Sequence, residues 1–205
     1  MNDWKRMHGQ SIGFATAILL ALGTMSGAIA QPSGKPFWLD QAKPTNWNKP
    51  GASLPKAPSS NAELDNFQQC KTTVRPATAP EDKALSSAGW KLVGPYQRFG
   101  KVSLVTGFSG VDGMCRPMGY QDFVFVNGKF AGTLSPQPMD SRTDGASGRL
   151  YLFSETELSA EFARYKEADA LCCPSAESNV SYQIRQQNGQ SIVAPTDVYT
   201  NPTSP

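Results

Sequence analysis

Beyond residue 90 the chain alternates apolar and polar residues with period two, punctuated by glycine and proline, and this predicts strands over 90–96 and 102–106. The clearest element covers 122–133. There Asn127-Gly128 supplies a two-residue hairpin turn whose central positions both need positive φ. Counting outward from that turn sets Phe125 opposite Phe130 and Phe123 opposite Gly132, which gathers an aromatic cluster on one face. Val124 and Val126 load the other face, and a strand apolar on both faces is central or covered on both sides. A second Asn-Gly turn, Asn188-Gly189, joins 180–187 to 190–194. It pairs Ile184 with Val193 and Arg185 with Ile192, and sends Val180, Tyr182 and Ile184 toward the core.

Residues 150–153 read as a strand. The stretch 158–166 is ambiguous: Leu158, Phe162 and Tyr165 after Ser154-x-x-Glu157 have helical spacing, while Leu158, Ala160 and Phe162 also alternate, and periodicity leans to helix. Two short helices are expected upstream. Ser60-x-x-Glu63 has capping-box spacing ahead of Leu64, Phe67 and Cys70. Pro80 opens a second helix over 80–88, with Glu81 and Asp82 in the first turn, Gly89 past the end, and Leu85 and Ala88 buried. The expected fold class is α+β: one twisted antiparallel β-sheet of about six or seven strands with one or two short helices, stabilised by disulfides.

The N-terminal part has a different character. Lys5 and Arg6 precede an apolar run over 12–22 and a small-x-small site at Ala28-Ile29-Ala30, the three parts of a secretory signal. The run is about half of the roughly 20 residues a spanning helix needs. A cleaved signal at 1–30 is therefore expected, and with no cysteine at the cleavage site, no stable membrane anchor afterwards. From 31 to 60 six prolines and four lysines replace the apolar pattern, which predicts a disordered linker, either a cationic tail for an anionic envelope polymer or a partner protein, or a spacer whose Phe37, Trp38 and Trp47 dock on its own domain. The folded domain is placed at 61–200, with 201–205 as a tail.

The signal peptide would take His8, the single histidine of the chain, and lower the formal charge from +2 to +1. That excludes His-dependent triads and His ligands from the mature chain and argues against a nucleic-acid partner. The loops over 107–119 and 140–148 carry neither phosphate-cradling nor EF-hand spacing, despite Asp140, Asp144 and Gly145, so no metal or cofactor is expected.

Four cysteines, Cys70, Cys115, Cys172 and Cys173, point to two disulfides in an exported protein. Adjacent cysteines have Cα atoms about 3.8 Å apart, below the usual disulfide span. The expectation is therefore that Cys70 and Cys115 pair separately with Cys172 and Cys173, in either combination.

The string Tyr165-Lys166-Glu167-Ala168-Asp169-Ala170-Leu171-Cys172-Cys173-Pro174-Ser175, followed by Val180-x-Tyr182, resembles the signature of the LppP/LprE family of bacterial envelope lipoproteins. Phe123-Val124-Phe125-Val126-Asn127-Gly128 with Gly132-Thr133 is similar to that family's central hairpin, and the resemblance extends over about residues 84–200. It implies an envelope location, periplasmic or secreted, and a strand rather than a helix at 158–166, which we adopt. The lipidation cysteine of the lipoprotein members has no counterpart here.

The leading functional expectation is a non-catalytic binding or structural domain of the cell envelope, not an enzyme, with an envelope ligand or protein as partner. A two-carboxylate hydrolase drawing on Asp122, Asp140, Asp144 and Glu155 is one alternative, and a thiol-redox protein using Cys172 and Cys173 is another. Core packing accounts for Trp90; Tyr120 stays open between core and ligand surface.

Overall fold

The computed structural model describes residues 37–59 and 69–203. The export signal with His8 and the helix start at Ser60, Glu63, Leu64 and Phe67 lie outside the described residues. After a 3-10 turn at Lys71–Thr73, helix α1 (Pro80–Ser87) leads into β1 (Lys91–Phe99) and β2 (Val102–Phe108). The small strands β3 (Gly110–Val111) and β4 (Pro117–Met118) pair with each other. Then come β5 (Gln121–Val126), β6 (Lys129–Thr133), β7 (Ser147–Leu152), β8 (Glu157–Arg164), β9 (Ala176–Gln187) and β10 (Gln190–Pro202).

The mostly antiparallel β architecture with a helix agrees with expectation, but the strands divide into two four-stranded sheets, β1-β2-β5-β6 and β10-β9-β8-β7, rather than one. The reason is that each sheet has an apolar face to hide and each hides the other's. Val102, Leu104, Val124 and Val126 of the first sheet share a core with Leu158, Ala160, Phe162, Val180, Tyr182 and Val193 of the second. Residues 158–164 accordingly form a strand, paired on both sides, which overrides the helical spacing.

The doubly apolar β5 is internal and covered twice. Its Val124 and Val126 face the second sheet, while Phe123 and Phe125 pack with Leu85, Trp90, Leu92 and Val105 beneath α1. Burying each such aromatic contributes about 1.5–3 kcal/mol, so this outer layer is part of what holds the sheet. Asp82, in the first turn of α1, accepts two hydrogen bonds from Arg75, at 2.8 and 2.7 Å, and one each from the Thr78 and Ala79 N–H groups. Its neighbour Glu81 accepts from Tyr96 at 3.1 Å. Both carboxylates thus serve specific partners in addition to the helix dipole.

Residues 37–59, expected as a disordered linker, instead lie along the domain. Trp38 meets Phe162 edge-on at 5.0 Å and Trp47 at 5.1 Å, Leu39 is buried, and Leu54 and Ala57 pack on the outer cluster. Of the two readings of this segment, docking of Phe37, Trp38 and Trp47 on the domain is the one seen; proline removes backbone donors from ladder pairing, and side chains and isolated backbone bonds hold the segment instead. Ala42 O accepts from Val198 N, Pro55 O from Trp90 Nε1, and Ala57 N donates to Ala88 O. Arg164 pairs with Asp40 at 2.6 Å and sits over the Phe37 ring.

Both Asn-Gly turns have positive φ at each position, and Phe125 opposes Phe130 as counted. Phe123, however, opposes Thr133, not Gly132, because a β-bulge at Ala131 shifts the register by one. The second hairpin keeps its counted register, Ile184 to Val193 and Arg185 to Ile192.

Candidate functional site

The two sheets meet along both margins, β6 against β10 and β1 against β7, and the margins differ. At the first, Asn48 of the extended segment fills the seam. Its side-chain amide donates to Thr133 O at 2.9 Å and Val193 O at 3.0 Å, and its carbonyl accepts from Thr133 N at 2.9 Å. One side chain thereby satisfies backbone groups of both sheets.

At the second margin both strands break step. The β1–β2 pairing skips Gly94, Pro95 and Tyr96, and the β7–β8 pairing skips Gly148 and Arg149. Pro95 has no N–H to offer and Gly94 takes φ +68°, a conformation that favours glycine. Gln97 Nε2 reaches Leu150 O at 3.2 Å, a tie across the margin. What remains open is a cleft of about 510 Å³, walled by Val93, Pro95, Leu104, Pro117 and Leu150. That volume falls within the roughly 300–1,000 Å³ of small-molecule sites.

The floor is polar for a reason visible in the register. On β2 the inward stripe runs Val102, Leu104, Thr106, and on β5 it runs Val126, Val124, Asp122, with Thr106 directly opposite Asp122. The Thr106 hydroxyl donates to one Asp122 oxygen at 2.6 Å, and the Ser147 hydroxyl, from the other sheet, donates to the second at 2.7 Å. Tyr120 donates to Ser147 O at 2.9 Å. Asp122 is only 1% exposed. Burial raises its pKa above the ordinary carboxylate range, against the two hydroxyl donors. Burial likewise pushes up the Tyr120 phenol, with the Asp122 charge adding to it. At the rim Arg149 pairs with Glu161 at 2.6 Å, and Tyr151 bonds the same carboxylate while stacking on exposed Phe153.

Of the four carboxylates available for hydrolysis, Asp122 lines this cleft. Asp140 accepts from Gly119 N, Asp144 pairs with Arg164, and Glu155 pairs with Lys101, and none of these three lines the cleft. Trp90 is buried in the outer cluster, and Tyr120 belongs to the cleft floor. Thr106 and Ser147 escaped sequence reasoning. Counting from the Asn127-Gly128 turn does place Asp122 on the Val124 face, but its partners come from β2 and the opposite sheet.

The cysteine pairing differs from expectation. Cys70 and Cys115 bond to each other with Cα atoms 5.2 Å apart, and Cys172 bonds to Cys173. The 3-10 turn after Cys70 sits against the loop of Cys115, where Thr73 Oγ1 donates to Cys115 O, whereas Cys172 and Cys173 occupy an exposed turn between β8 and β9. Each disulfide therefore forms where its partner already lies.

Cleft floor, central hairpin and cysteine turn are all carried by one stretch of chain. Residues 96–187 match the family model of the LppP/LprE lipoproteins. The match begins in β1 and ends with β9; it takes in Thr106, Tyr120, Asp122 and Ser147, and leaves out α1, β10 and the extended segment. The LppP/LprE match likens this stretch to a family of lipoproteins. No curated protein and no solved structure matches the chain.

Proposed function

We propose that this is a periplasmic or secreted, non-catalytic binding domain of the cell envelope, and that its ligand seats in the cleft between β1 and β7. The observation that carries the reading is the cleft's composition. Apolar walls end on one buried carboxylate held by two hydroxyls, which suits a small amphipathic molecule whose polar end reaches the floor. That Asp122 lines the cleft while Asp140, Asp144 and Glu155 do not supports binding over two-carboxylate hydrolysis.

The test is native mass spectrometry of protein recovered from its own envelope, beside a Val93→Trp variant. Val93 is a half-buried wall residue, so an indole there fills the cleft from its side. A small-molecule mass carried by the parent and lost from a folded Val93→Trp protein is the expected result. A mass retained undiminished by the filled variant would place the ligand elsewhere, and catalytic turnover of an envelope polymer abolished by Asp122→Asn would overturn the non-catalytic reading.

A further inference from the structure

The Cys172–Cys173 bond does nothing for the unfolded chain. A disulfide stabilises by closing a loop, and the Cys70–Cys115 bridge, with a sequence separation of 45, restricts the unfolded ensemble by about 4 kcal/mol in the chain-entropy description. A bridge between neighbours closes no such loop. Its turn is also held by other bonds. Asp169 accepts from Lys166 N at 2.8 Å and Ser175 N at 2.9 Å, Tyr165 donates to Leu171 O at 3.0 Å, Cys173 N donates to Ala170 O at 2.8 Å, and Thr203 N donates to Ser175 O at 3.1 Å. None of these involves sulfur, so opening the bridge leaves the turn's framework in place.

Access separates the two disulfides further. Cys172 and Cys173 are both exposed, beside a Leu171 that is 64% exposed, whereas Cys70 is 1% exposed within the core and its partner Cys115 is half-buried against it. Thiol–disulfide exchange proceeds by thiolate attack along the S–S axis and depends on such access. The adjacent Cα atoms, 3.8 Å apart, also lie below the usual disulfide span, which favours opening.

We propose that Cys172–Cys173 is a thiol-exchange site, reduced by a dithiol donor and distinct from the structural Cys70–Cys115 bridge. One donor thiolate attacks a sulfur of the pair, forming a mixed disulfide and releasing the other cysteine as thiolate. The second donor thiol then attacks the mixed disulfide and leaves as a donor disulfide. Two electrons and two protons pass to the pair, yielding two cysteine thiols. Exposed Leu171 gives an incoming donor an apolar contact beside the reacting sulfurs.

The experiment is a dithiothreitol titration of the full protein isolated from its envelope, followed by alkylation and peptide mapping. Cys172 and Cys173 are expected to label at dithiol concentrations at least about tenfold below those that label Cys70 and Cys115, and to reform with oxidised dithiothreitol. Simultaneous labelling of all four, or peptides joining Cys172 or Cys173 to Cys70 or Cys115, would overturn the proposal. A Cys172→Ser/Cys173→Ser variant is expected to fold with an unchanged urea midpoint and to lack the early labelling step. Failure of that variant to fold would make the bridge structural and likewise defeat the proposal.

Discussion

Replacing Arg75 by methionine tests how the helical layer is fixed over the first sheet. The Asp82 side chain is 0% exposed and that of Arg75 20%, and the two share a bidentate contact at 2.8 and 2.7 Å. Removing the cation leaves a buried carboxylate, which costs about 3–5 kcal/mol in such settings. Two features reduce the cost here: Asp82 keeps the Thr78 and Ala79 N–H groups, and the variant removes the Arg75 Nε donor, which is buried with no hydrogen-bond partner among the described residues. We therefore expect a loss of about 3 kcal/mol at pH 7.

The loss must depend on pH. Burial works to raise the Asp82 pKa, but the Arg75 hydrogen bonds and the Ala79 and Thr78 N–H groups outweigh it and hold it well below the usual range. A depressed folded pKa contributes stability that is present above the unfolded value of about 3.9 and is lost as pH falls through the folded value. In Arg75→Met the share of this contribution that Arg75 supplies is gone, while the Thr78 and Ala79 N–H groups keep theirs. The deficit should thus be full above about pH 5 and shrink toward pH 2. Urea denaturation followed by tryptophan fluorescence at pH 7 and pH 2.5 measures both quantities. A deficit below about 1 kcal/mol at pH 7, or one of equal size at both pH values, would refute the reasoning.

Asn48→Ala strips three hydrogen bonds from the seam between the sheets and should cost about 2–3 kcal/mol in urea, with Thr133 N and Val193 O left in search of partners; a loss under about 0.5 kcal/mol would mean water replaces the amide. Asp122→Asn should change the pH profile of thermal stability. Because burial raises the folded pKa of Asp122, the parent loses stability as pH rises from about 4 through that value, and the asparagine variant does not. The two melting curves should therefore diverge in favour of the variant as pH rises above about 4, and parallel curves would contradict a folded pKa raised by burial.

The hairpins were legible because their determinants are local. Asn127-Gly128 and Asn188-Gly189 tolerate positive φ, and alternation fixes faces by counting. The count failed one strand position later, at Ala131. There Gly132 adopts φ +137° with the Asn48 side chain where a Cβ would stand, so the bulge depends on a residue 84 positions away. Residues 158–164 satisfied two periodicities at once, and pairing with β7 and β9 decided between them.

What the sequence determined by itself is therefore what neighbours in the chain can enforce: strand alternation, the two hairpin turns, helix α1 and the family signature around Cys172-Cys173. Only the tertiary structure decided that the strands divide into two sheets, that the proline-rich segment staples them, that Cys70 meets Cys115, and that Thr106, Asp122 and Ser147 share one floor. Each of those is a contact between segments far apart in sequence. Such contacts are selected by which apolar faces can be buried together and which buried polar groups can be satisfied, and no local pattern encodes that outcome.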